Sequence, residues 1–113
     1  MNMDYVDHNK HIINCAYDSM GHEEMKRFFY ADIIGVMRSV IDNGEQLLQL
    51  SISSEFKEFI ASLYTEAFAG LMITWLKNKN NPDKEQLIQN ILFVCQTSIP
   101  YLLRKKAERE SEK

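Results

Sequence analysis

Glycine and proline are scarce, at 4 and 2 in 113 residues, and no stretch alternates apolar with polar side chains as a half-buried strand would. A β-rich fold, which needs turn residues every few positions, is therefore not expected. Cysteine is almost as rare. Cys15 and Cys95 lie far apart and form no CxxC, so the sequence holds neither a disulfide framework nor a zinc motif, which fits a reducing compartment. Long apolar runs are missing too. Ala67 to Ile73 is the longest, far short of the roughly 20 residues that a membrane span needs. The opening MNMDYVDHNKH has no apolar core of a signal peptide. Positive charge is not in excess either: 13 Lys and Arg stand against 16 Asp and Glu, for a net charge of −3, so no basic field draws in nucleic acid. The one dense basic cluster, Arg104-Lys105-Lys106 with Arg109, is interleaved with Glu108, Glu110 and Glu112, and reads as a solvated helix end or a frayed terminus. These absences lead to the expectation of a cytoplasmic chain that does not enter a membrane.

Catalytic and metal constellations are equally thin. His8 and His11 with Asp4 and Asp7 are read as surface residues and not as a metal site. Asp18, Ser19 and His22 have no spacing that assembles a nucleophile, a base and its orienting partner. No glycine-rich loop could cradle a phosphate. No enzyme, no cofactor and no metal are expected.

What remains is helical patterning over a chain that is 45% hydrophobic and 26% charged, long enough to bury one core. Four main helices are expected, over about 4–19, 22–42, 53–79 and 82–106, in one domain spanning residues 1–113. In the first, Tyr5, His8, Ile12, Cys15 and Ser19 share a stripe, beside Ile13, Ala16 and Met20. The second opens with Glu23 and Glu24, which suit the positive end of a helix dipole, and should stop at Asn43-Gly44. Ser51, Ser53 and Ser54 are N-cap candidates for the third. Asn81-Pro82-Asp83 opens the fourth, with Asn81 as cap and Pro82 in the first turn. Pro100 should kink or interrupt that last helix.

The third helix divides into faces. Glu58, Ser62, Thr65 and Glu66 form the wet side; Ile60, Tyr64, Phe68, Leu71 and Trp75 form a bulky stripe for the domain's own core. A further stripe of Phe59, Leu63, Ala67, Gly70 and Thr74 becomes small toward its end, as suits a second helix at close approach. The fourth helix has a broad apolar face, with Ile88, Ile91, Leu92 and Cys95 available to the same contact and Phe93 pointing the other way. The expectation is an all-α antiparallel helical bundle whose last two helices form a dimerising hairpin. A two-fold homodimer would then cover the apolar surface that one copy leaves over.

The stretch FIASLYTEAFAGLMITWLKNKNNPDKEQLIQNIL resembles the C-terminal half of TetR/AcrR-type transcriptional regulators, in the Firmicutes-type variant. Gly70, Trp75-Leu76, the polar turn, Pro82-Asp83, Leu87 and Ile91 hold the places of that pattern. Asp7-His8-Asn9 matches its upstream segment only loosely. The resemblance implies a regulatory domain that binds an apolar small-molecule inducer and dimerises, coupling the ligand to DNA-binding geometry. DNA would be contacted only through an N-terminal helix-turn-helix domain, for which this sequence has no counterpart. Expected pocket residues are Tyr17, Phe29, Ile33, Met37, Tyr64 and Phe68. Some relatives are instead co-activators that dock a protein and take no ligand; that is the alternative reading.

Overall fold

A computed structural model describes residues 21–78 and 83–112; the helix expected over 4–19, with Tyr17, His8 and His11, lies outside these residues. Among the described residues the chain is all-helical, with three helices: α1 (His22–Leu47), α2 (Ser54–Lys77) and α3 (Lys84–Ser111). No strand occurs among them.

Helix α1 begins after Gly21, whose φ of +86° turns the chain where other residues would be strained. It does not stop at Asn43-Gly44. The helix runs one turn further, with Gly44 half-buried against α3: a Cβ there would sit 3.2 Å from Leu103 Cδ1. A residue that marks a boundary in isolation serves here as a close-approach point between helices. The real stop is Gln49, a non-glycine residue at φ +56°. Its N–H donates to the Gln46 carbonyl and that of Leu50 to the Glu45 carbonyl, which closes the helix end.

Helix α2 is capped by Ser53, whose Oγ accepts from the Phe56 N–H, as one of the three candidate serines should. The tight connection between α1 and α2 is held by Glu45. Its carboxylate accepts the Ile52 N–H at 2.7 Å and pairs with Lys57 at 2.9 Å. Helix α3 is capped by Asp83, whose carboxylate accepts the Glu85 N–H at 2.9 Å; Asn81 and Pro82, expected to open this helix, lie outside the described residues. It continues through Pro100 without a break and through the basic cluster as far as Ser111.

Each helix runs antiparallel to the one before it. Lys26–Glu66, Arg38–Glu58 and Lys57–Asp42 ion pairs register α1 against α2, and Ser53–Glu110 and Tyr64–Ser98 hydrogen bonds register α2 against α3. The closest and longest helix pairing is α1 with α2, not the expected α2–α3 hairpin. The ridge of Met25, Phe29, Ile33, Met37 and Ile41 on α1 explains this preference. These residues recur every four positions and are buried against Ala61, Phe68, Ala69, Met72, Ile73 and Leu76 of α2. By contrast, α3 contributes only Ile99 and Leu103 to the fully buried core.

Two residues of α2 lie elsewhere than expected. Thr65, assigned to the wet face, is fully buried, and its hydroxyl donates to the Ala61 carbonyl one turn back. That bond removes the cost of an unpaired hydroxyl inside the core. Leu71, assigned to the core stripe, is 46% exposed. By length and composition α2 could cross a membrane, but half of its most apolar window is packed inside the protein, as in a core helix.

Candidate functional site

The parallel pair α1 and α3 stand apart over most of their length, and α2 lies beneath them. The result is an open groove with a volume of about 930 Å³, within the size range of small-molecule sites. One wall is the outer edge of α1: Ile33, Val36, Met37, Val40, Asn43 and Leu47. These follow helical spacing, so one stripe of a single element supplies the wall. The other wall is α3, from Ile88, Ile91 and Leu92 through Cys95 and Gln96 to Ile99 and Pro100. Phe68 and Met72 of α2 form the floor. Gly44 closes one end, where it meets Leu103.

The electrostatics of the lining are simple. Among the described residues no carboxylate, ammonium or guanidinium side chain lines the groove; Asn43 and Gln96 are the polar side chains they supply. The Cys95 thiol is half-buried, and burial raises its pKa above the ordinary value, so it faces the groove as a neutral thiol. One backbone group also matters. Pro100 has no N–H to give the carbonyl of Gln96, one turn back on the same wall.

The expected pocket residues divide. Ile33, Met37 and Phe68 line the groove, while Phe29 is buried in the core behind it. Tyr64 forms the seam between α2 and α3. Ser98 Oγ donates to the Val94 carbonyl, so the Tyr64 hydroxyl is the donor to Ser98 Oγ.

The expected interface residues divide as well. Phe59, Leu63, Ala67 and Thr74 are exposed on the outer side of α2, and Gly70 on the same stripe has open space where a Cβ would be. Ile88, Ile91, Leu92 and Cys95 of α3 line the groove, on the other side of the Tyr64–Ser98 seam. The nine do not share one face, because α3 turns that stripe toward α1. In their place Val94 and Tyr101, seven residues apart and therefore on one side of α3, stand exposed beyond the seam from the groove. Phe93 is 69% exposed. Val36 and Val40 fall on the apolar spacing of the expected second helix; Leu47 lies past its expected end, and Gln96 and Pro100 had no signal that periodicity could read.

Comparison with known families places the chain. The profile of a TetR-type family described as "Transcriptional regulator C-terminal region" matches residues 2–96. The chain belongs to this family. No curated protein and no solved structure matches it. Membership makes the chain a regulatory region of the TetR type, and the three described helices are the part of that region that forms the groove and the outer α2–α3 face. Among the described residues no group of three or more His, Cys, Asp or Glu side chains could hold a metal ion.

Proposed function

We propose that this TetR-type domain binds an apolar effector in the α1–α3 groove and homodimerises through the outer face of α2 and α3. The observation that carries the reading is the thin commitment of α3 to its own core. That helix buries only Ile99 and Leu103, and leaves Leu92, Val94 and Tyr101 about half exposed or more on two separate sides. Apolar surface left over in this amount marks contact sites. One side is concave and sized for a small molecule; the other is a helix-pair surface with a small-residue stripe, suited to a two-fold partner. An effector that prefers one spacing of α1 and α3 shifts that spacing by its differential affinity, and a partner seated on α3 senses the shift. DNA contact belongs to a helix-turn-helix domain upstream, catalysis has no part in the role, and the domain works in the cytoplasm.

Native mass spectrometry of the 113-residue chain tests both halves at once. A dimer carrying a co-purified small molecule, or a chain stabilised by added apolar ligands, is the expected result. A monomer that no apolar compound stabilises refutes the reading. The exposed Phe93 favours a second reading, a co-activator domain that docks a protein without small-molecule control. Under it, Phe93→Ser abolishes partner binding and groove substitutions have no effect.

A further inference from the structure

We infer that the ligand of the groove is a neutral, largely aliphatic molecule bearing a hydroxyl group, and that the Gln96 carbonyl, which Pro100 leaves without its helical N–H, is its anchor. This inference rests on the effector reading above and adds the chemical class.

Two independent observations point the same way. The first is charge. An ionised head group inside the groove would lose hydration and find no opposite charge among the described lining residues, whose polar side chains are the amides Asn43 and Gln96. Carboxylates and quaternary ammonium groups are disfavoured alike, whereas an uncharged body gains from contact with Val40, Phe68 and Leu92. The second is the backbone. Gln96 and Pro100 occupy the same wall one turn apart, and the proline withholds the N–H that would otherwise satisfy the Gln96 carbonyl. Without that N–H the carbonyl keeps acceptor capacity that a group outside the helix can use. A hydroxyl fits best, because it donates to the carbonyl and can accept from the Gln96 side-chain amide. An ether or a hydrocarbon of equal length leaves the carbonyl unmatched once water is displaced.

Four probes of matched chain length separate the alternatives: decanol, decyl methyl ether, decanoate and decyltrimethylammonium, titrated calorimetrically into the full chain below their micellar concentrations. Decanol should bind roughly threefold to tenfold tighter than the ether, the range one net hydrogen bond supplies. Both charged probes should bind more weakly than the ether. In Pro100→Ala the new N–H occupies the carbonyl, and the alcohol-to-ether ratio should fall to about one, while the ether affinity stays as it was. Val40→Trp and Leu92→Trp, both at exposed lining positions, should block all binding. Charged probes that match decanol, or an alcohol-to-ether ratio unmoved by Pro100→Ala, overturn the assigned ligand class and leave the effector reading standing. Binding that survives both tryptophan substitutions overturns the site. No binding by any of the four overturns this inference, while the effector reading stands or falls by the native mass spectrometry.

Discussion

At the scale of single residues, the backbone at Gln49 is the plainest case of cost retained in the fold. Its φ of +56° belongs to the left-handed region, yet it carries a side chain. The position ends α1 as a glycine usually would, and Gln49 itself is exposed. Gln49→Gly should therefore stabilise the protein by about 0.5–1 kcal/mol, read as a higher urea midpoint with an unchanged slope. Glu45 makes a second prediction. The hydrogen bond from Lys57, followed by that from the Ile52 N–H, holds its carboxyl below the ordinary glutamate pKa. A folded-state pKa below the unfolded one adds stability that is complete above the ordinary value. It is lost as pH falls through the lowered pKa. The gap in stability between the wild type and Glu45→Gln should be about 1–2 kcal/mol at neutral pH and close on acidification below roughly pH 4.3. A gap that stays constant into acid would show that the ionised carboxylate is not what holds the loop. Neither residue stood out in the sequence. Gln49 has no composition signal, and the role of Glu45 depends on Ile52 and Lys57 being folded back onto it.

At the scale of elements, the existence and the starts of all three helices were legible, and the C-terminal ends of α1 and α3 were not. Apolar spacing survives folding because it is what the core selects, so α1, α2 and α3 appear where the pattern places them. Ends are decided by tertiary partners. Asn43-Gly44 failed as a stop because Leu103 packs onto Gly44, and the basic tail of α3 stays helical alongside interactions at the start of α2. There the Glu110 carboxylate accepts both the N–H and the hydroxyl of Ser53, and the Lys106 ammonium lies 4.8 Å from the Phe56 ring centroid. Thr65 was misplaced for a related reason: its polarity argued for solvent, and only its bond to the Ala61 carbonyl makes burial tolerable. Pro100 is the remaining exception within α3, since a proline inside a helix costs about 3 kcal/mol against alanine. Pro100→Ala should raise the thermal midpoint, with a gain of up to about 3 kcal/mol, if the helix path is otherwise unchanged. A gain of that size, beside a weakened preference for an alcohol, would mean the proline is kept for what the groove binds and not for the fold.

At the scale of the whole molecule, the groove was half visible and the outer face nearly so. Ile33, Met37 and Phe68 were read as lining, whereas the α3 wall was assigned to the interface, because periodicity shows which residues share a stripe but not which neighbour the stripe meets. The described residues form a thin slab, with extents of 51 × 26 × 17 Å, so the shortest dimension is little more than one helix diameter. Exposed apolar residues lie on both of its broad sides, Val40 and Leu92 along the groove and Leu63 and Tyr101 on the outer face. The Gly70 position offers a test that separates association from folding. Open space surrounds a Cβ there, so the side chain of Gly70→Leu has room to leave the backbone, and the change gains helix propensity, roughly 0.8 kcal/mol. The isolated fold should be as stable as before, or slightly more so. A partner helix in close approach, by contrast, would meet the new side chain and be pushed away along the stripe of Leu63, Ala67 and Thr74. In sedimentation equilibrium the wild type should have twice the 13.2 kDa chain mass, and Gly70→Leu and Leu63→Glu should each have that mass once. If Gly70→Leu remains a dimer, the partner does not sit on this stripe. Should it unfold instead, the glycine would be serving a neighbour in its own chain, against the open space found around it.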